Sequence, residues 1–178
     1  MNIVHAELKE FLYYDGADNI GVFTWLKRNG RGNRNRVGGI AGSLDKVTGY
    51  ITIRIMGKNY QAHRLAWFYI HGIWPKSGID HRDTIKHHNW LSNLREATQQ
   101  QNTFNAGIQK NNNSGYKGVS WNAKRQKWIA QVGYNKKSKY LGGFDTAEEA
   151  AAQYLIAAKK LHGDFLHHSL VDKLCKLL

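Results

Sequence analysis

Apolar and polar positions alternate along much of this chain, and the period changes from region to region. In GYITIRIMG, 49–57, Ile51, Ile53 and Ile55 are separated by Thr52, Arg54 and Met56, the period of a strand with one buried face. FTWLK at 23–27 has the same aromatic and β-branched bias, so 10–60 is expected to form short strands. Between them GRGNRNRVGGIAG, 30–42, is a loop rich in glycine and arginine, readable as a solvated connector or as a phosphate contact. QAHRLAWFYIHG, 61–72, predicts a helix with an apolar body that stops at Gly72, ahead of the single proline, Pro75. His63 near its start reads as a structural residue. SGIDH, 77–81, reads as a short strand entering a loop. LREATQQQNTF, 94–104, reads as a helix that displays polar side chains on one side.

NAGIQKNNNSG, 105–115, interrupts the pattern with residues that favour turns. Beyond it GYKGVSW, KWIAQVGY and KYLGGF predict three short aromatic strands with turns at KRQ and NKKS. TAEEAAAQYLIAAKKLHG then opens on Thr146 with Glu149 three residues later, a capping box, and runs through alanines to Gly163. SLVDKLCKLL has the spacing of a terminal helix packed on a neighbouring domain. The expected organisation is a first domain at 1–105, a linker at 106–113, a second domain at 114–165 and a C-terminal helix at 166–178.

A chain of 178 residues fits one ordinary domain or two small ones, and 42% hydrophobic residues support a folded core. Apolar runs such as LAWFYI, 65–70, are too short to cross a bilayer. MNIVHAELKEFLYYDG lacks the layout of a secretory signal. With Cys175 as the single cysteine, no intramolecular disulfide is possible and a thiolate zinc site is disfavoured, so a reducing cytoplasm is the simplest compartment. The net charge of +13 changes the picture most. Residues 1–105 carry +6 and 106–178 carry +7, so the excess belongs to both parts and is not a tail. Such charge suits a polyanion. Without a basic amphipathic helix to enter a membrane surface, nucleic acid is the expected partner.

A phosphodiester resists attack because the nucleophile and the phosphate oxygens repel each other and an alkoxide must leave. One hard divalent cation offsets the developing charge, and a neutral imidazole deprotonates the attacking water. The site needs an anionic oxygen ligand, a nearby histidine, and a group that holds the ring in one tautomer and orientation. GIDHRDTIKHHNWLSNLREATQQQN, 78–102, contains candidates for each. Asp80 and His81 can supply the first two, the amide oxygen of Asn93 the third, and Asn102 a second oxygen ligand. Neighbours on a flat strand point to opposite faces, so Asp80 and His81 share a site only where the strand bends or ends. On the residues alone the pair stays open between a turn, a hydrogen-bonded core pair, and a metal ligand beside a general base.

IDH, then NWLSNLREAT, then QQQN resembles the HNH (ββα-metal) endonucleases, particularly those of phages and mobile introns. The upstream AHRLAW, 62–67, resembles the stretch that precedes the motif in phage members. The resemblance implies two strands and a helix pinching a single metal. It implies Asp80 as a metal ligand, His81 as general base, Asn93 as the residue that orients His81, and Asn102 as completing the metal shell, with Asn105 as the rival for that last role. Asparagine there suits Mg²⁺ or Mn²⁺ better than Zn²⁺. Where phage relatives often carry an Asp-Asn pair before the NL dipeptide, this chain has His88-Asn89. His87 and His88 are read as exposed loop residues, with DNA-backbone contact as the alternative.

Residues 115–165, with YKGV, KWIA, YLGGF and the alanine-rich helix, resemble the ethylene-response-factor type DNA-binding domain. That resemblance implies a three-stranded sheet in the major groove with a helix packed behind it. Lys117, Lys124, Arg125, Lys127, Lys136, Lys137 and Lys139 are the candidate phosphate contacts, and Asn122 and Gln131 the candidate base readers. Trp128 is assigned to the core, and Trp121 stays open between core and DNA. Ser120 stands where the plant family usually has arginine, so the plant target sequence does not carry over.

The expected molecule is α+β, a ββα-metal HNH nuclease core plus a small three-stranded antiparallel sheet with one packed helix. The resemblances imply a homing-type phage enzyme that nicks or cuts double-stranded DNA with Mg²⁺ or Mn²⁺. It is expected to be a monomer without an obligate protein partner or membrane, acting in the cytoplasm of the host cell. The rival reading is a DNA-binding regulator whose nuclease site is vestigial.

Overall fold

The computed structural model describes residues 3–29, 36–109, 111–167 and 170. They fall in two compact units, Met1–Ala97 and Thr98–Leu178, each built from helices and small antiparallel sheets. The α+β class is as expected. The arginine-rich stretch 30–35, Cys175 and most of the expected C-terminal helix lie outside the described residues. Among the described residues no helix is long and apolar enough to cross a membrane.

The first unit opens with α1 (His5–Phe11) and the hairpin β1 (Leu12–Asp15) and β2 (Val22–Trp25). A three-stranded sheet follows, β3 (Ser43–Leu44), β4 (Ile51–Ile55) and β5 (Lys58–Gln61), with β4 central. Ile53 and Ile55 are buried and Arg54 is exposed, as the alternation predicts. Each buried isoleucine contributes roughly 1.5–3 kcal/mol over an exposed one. They pack with Leu8, Leu12, Phe23 and Trp25, and with Leu65, Ala66 and Phe68 of α2 (Ala62–His71). Gly72, at φ +70°, caps α2 by donating its N–H to Phe68 O. The unit ends in β6 (Gly78–His81) and β7 (Leu94–Ala97), an antiparallel pair joined through one 3₁₀ turn, Leu91–Asn93.

The helix expected over 94–104 does not begin at Leu94. LREA consists of good helix formers, yet it forms β7, with Asp80 opposite Arg95 and His81 opposite Leu94. Leu94, Arg95 and Ala97 are buried there, and that pairing outweighs local propensity. The helix, α3 (Gln99–Asn105), starts only after Thr98. Thr98 Oγ1 accepts from Gln101 N at 3.2 Å, and Gln101 Oε1 accepts from Thr98 N at 2.8 Å, a capping box that the helix reading had not placed.

In the second unit α3 precedes β8 (Val119–Asn122), β9 (Lys127–Tyr134), β10 (Lys137–Phe144) and α4 (Ala147–His162). The sheet has β9 in the middle. Val119, Ala130 and Val132 pack with Ala150, Ala151, Tyr154, Leu155 and Ala158. The alanines keep α4 close to the sheet. The YKGV glycine is required: at Gly118, φ +73°, a Cβ would fall 2.2 Å from the Tyr154 ring. Thr146 and Glu149 form the expected capping box. Phe104 stacks on His162 at 3.6 Å between centroids and 10° between planes, which joins α3 to this unit. The division after Ala97 therefore falls ahead of the expected linker at 106–113.

Candidate active site

β6 ends at His81: the next residue, Arg82, donates to Asn93 O at 2.9 Å, and Thr84 N turns back to His81 O at 2.9 Å. The strand end is the condition under which Asp80 and His81 can serve one site. Both are buried, at 8% and 4% exposure. Asp80 faces its register partner Arg95, whose Nε and Nη2 lie 2.8 and 2.7 Å from Oδ2. Taking both charges out of water is costly, and their attraction at this distance offsets the cost.

The His81 ring lies 5.1 Å from that of His63, edge to face, and 6.1 Å from that of Tyr50. Burial is the largest influence on both imidazoles. It pushes His81 below the ordinary value, against the raising effects of Asn89, Asp83 and Asp80. His63 is pushed down to about 3 by burial and then by the neighbouring His81 and Arg64. Two buried rings side by side thus stay neutral near pH 7.

Asn89 Oδ1 lies 3.1 Å from Nε2 of the His81 ring. The hydrogen bond expected from Asn93 to the ring is not the one formed. Asn93 Oδ1 accepts from Asp83 N at 3.0 Å, and its Nδ2 donates to Asp83 Oδ1 at 2.9 Å and His88 O at 2.8 Å. Asn93 therefore shapes the loop that presents Asn89. His88 is not simply exposed: its Nδ1 lies 2.7 Å from Asp83 Oδ2, while His87 is exposed. Asn89 is 1% exposed, and its carbonyl accepts from Tyr14 Oη at 2.6 Å. Gly21, at φ +59°, lets the β1–β2 turn meet this segment, since a Cβ there would fall 2.1 Å from Trp90 N. The retained loop asparagine was the sequence signal for Asn89, but its role depends on how the loop folds.

For a metal, the donors are oxygens. In the first unit Asp80 offers a carboxylate; in the second, Asn102 on α3 has a buried Oδ1 without a hydrogen-bond partner among the described residues. Asn105 is more deeply buried. Among the described residues no three His, Cys, Asp or Glu side chains cluster as a metal cage. A carboxylate such as that of Asp80 is the donor type that a hard, partly hydrated divalent cation takes, so its chemistry fits such an ion.

In the second unit Lys124, Arg125, Lys136, Lys137, Lys139, Gln131 and Trp121 are exposed on strands and turns. Other candidates are engaged within the unit. Lys117, expected among the phosphate contacts, donates Nζ to Thr103 O at 3.1 Å and Phe104 O at 2.9 Å, and also to Ala106 O. It caps the last turn of α3, and burial pushes its pKa down to about 8. Lys127 pairs with Asp145 at 2.5 Å, and Asn122 Oδ1 accepts from Arg125 N in the β8–β9 turn. Gln131 and its register partner Tyr140 share the face turned away from α4, because Ala130 and Val132 face the helix. Ser138 Oγ donates to Gln131 Oε1 at 3.1 Å. Tyr140 is exposed on that face. Trp128 is packed on the core as assigned, and Trp121 is 46% exposed.

Comparison with known proteins matches both regions. Residues 60–104 fit a family model described as HNH endonuclease, and 114–164 fit one described as AP2 domain. The chain is 35% identical over 104 residues to Protein 3.8 of Escherichia phage T7, covering 58% of this chain and 85% of that protein. It is 35% identical over 127 residues to the uncharacterized HNH endonuclease L560 of Acanthamoeba polyphaga mimivirus, covering 70% of this chain and 65% of that one. No solved structure matches.

Proposed function

We propose that this chain, which fits an HNH endonuclease model over residues 60–104 and an AP2 domain model over 114–164, hydrolyses a phosphodiester of double-stranded DNA with His81 as general base. The observation that carries the proposal is the buried His81 ring at the end of β6, beside Asp80 and hydrogen-bonded to Asn89. An imidazole held below its ordinary basicity is unprotonated at neutral pH and can accept a proton from water. With Asn89 Oδ1 as acceptor, Nε2 carries the ring proton and Nδ1 is the basic nitrogen. Asn93 acts one step back, through the loop that carries Asn89. A bound Mg²⁺ or Mn²⁺ would supply positive charge to the scissile phosphate and the leaving oxygen. Asp80 is the residue of the first unit that would hold it. The products would be a 3′-hydroxyl and a 5′-phosphate, as the family resemblance implies.

The exposed cations of the second unit and the Gln131–Tyr140 face would hold the duplex, phosphates by charge and base edges by hydrogen bonds. A monomeric homing-type enzyme of a phage, acting in the host cytoplasm, is the biological setting that fits. A non-catalytic regulator draws on one specific observation: Nε and Nη2 of Arg95 both sit on Asp80 Oδ2, where an incoming cation must compete. The deciding experiment incubates the protein with a pool of supercoiled plasmids bearing random inserts, with Mg²⁺, Mn²⁺ or EDTA. Relaxed circles mean nicking and linear DNA means a double-strand cut. Binding without cleavage in either metal would establish the regulator.

A further inference from the structure

We infer that Tyr50 is a further active-site residue, whose phenolic hydroxyl donates to a non-bridging oxygen of the DNA phosphate being cleaved. The inference rests on the nuclease reading above. Tyr50 lies outside the 60–104 segment matched by the HNH family model, in the turn that leads into β4. That turn is closed on itself. Asp45 Oδ1 accepts from Val47 N at 2.9 Å, its Oδ2 accepts from Thr48 Oγ1 at 2.7 Å, and Asp45 N donates to Tyr50 O at 2.9 Å. The backbone that launches the Tyr50 side chain is therefore well determined.

Three contacts put the ring at the site. Its centroid is 5.0 Å from the His63 ring and 6.1 Å from the His81 ring. Lys86, from the loop between β6 and Asn89, reaches back to donate Nζ to Thr48 O at 2.9 Å and lies 4.9 Å over the Tyr50 ring. Lys86 so ties the turn to the loop that presents Asn89 and steadies the ring by a cation–π contact.

The hydroxyl itself is the telling part. A tyrosine packed among other rings usually gives its hydroxyl an internal partner, and Tyr14 of the same unit does so with Asn89 O. The Tyr50 ring is half-buried against the histidines, yet its hydroxyl has no hydrogen bond among the described residues. A phenol is protonated at neutral pH, so the hydroxyl is available as a donor. A neutral donor beside the general base suits a phosphate oxygen that gains charge as water attacks. If Tyr50 were only a wall for the two histidines, the ring alone would suffice.

Tyr50→Phe separates the two, because it keeps the ring and removes only the hydroxyl. The measurement is single-turnover cleavage of the supercoiled plasmid pool with Mn²⁺, over a range of enzyme concentrations. The saturating rate should fall on the order of 10²-fold, with half-saturation, DNA affinity and thermal unfolding unchanged. Tyr50→Ala should add a loss of stability to that rate loss. A Tyr50→Phe protein as fast as wild type, beside an inactive His81→Ala protein, overturns the role of Tyr50 and leaves the nuclease reading intact. A wild-type protein that binds the pool but cleaves none of it overturns both.

Discussion

The two units handle polar side chains in opposite ways. Among the described residues the first unit buries His63, Asp80, His81, Asn89, Asn93 and Arg95, whereas the second buries Asn105 and His162. The second unit fills its core with alanine, valine, leucine and one tyrosine and keeps Lys124, Arg125, Lys136, Lys137 and Lys139 in water. Chemistry on water needs dry, pre-oriented groups with shifted proton affinities. Holding a polyanion needs hydrated cations that release counterions. The contrast implies that substitutions in the first unit's polar cluster damage catalysis and folding together, while those on the second unit's surface change binding alone.

The largest test of that contrast is His81→Ala. Loss of the general base should slow cleavage by about 10²–10⁴-fold with DNA affinity unchanged. Retained activity would remove the catalytic role of this unit. Next comes Arg95→Ala, which removes the ion-pair partner of the buried Asp80 carboxylate and should cost about 3–5 kcal/mol in urea unfolding. Replacing the pair together, Asp80→Asn with Arg95→Met, should recover part of that loss. A single Arg95→Ala variant within 1 kcal/mol of wild type would mean that the pair is solvated in solution.

Legibility in the sequence followed the range of the interaction that decides each feature. The alternating isoleucines of β4, the span of α2 and the Thr146–Glu149 cap of α4 were readable because each depends on neighbours within a few residues. The Asp80–His81 placement needed only the end of one strand. LREA misled because its helical propensity is local, while its pairing with GIDH crosses a loop. Asn89 stands at the ring where Asn93 was expected for the same reason: either amide has the chemistry to hold an imidazole, and only the folded 82–89 loop decides which one reaches it. The charge of Lys117 was plain, but not its burial against the end of α3.

His63 sharpens the contrast through pH. Its ordinary value is 6.5, and in the folded protein it is lowered to about 3. Between those values the unfolded chain binds a proton that the folded one refuses, so stability rises with pH across that window. The contribution is fully present above about pH 6.5 and is lost as pH falls towards 3, on the order of a few kcal/mol in total. His81, lowered in the same direction, adds to the acid sensitivity. His63→Phe should flatten that part of the stability–pH curve, and an unchanged curve would mean that the ring is not buried in solution.

The smallest effects separate the lysines of the second unit. Lys136→Ala and Lys137→Ala remove exposed charges, so each should leave stability within about 0.5 kcal/mol. If each meets one phosphate, each should reduce the slope of log affinity against log salt by about 0.9. Lys117→Met should do the reverse. Its ammonium serves three backbone carbonyls of its own unit, so its loss should cost roughly 1–2 kcal/mol of stability and leave the salt slope unchanged. Because Lys117 sits in the YKGV stretch that otherwise resembles a DNA reader, a changed slope in Lys117→Met would mean that the ammonium leaves α3 to meet the duplex, and the division between folded-in and displayed charge would no longer hold for this residue.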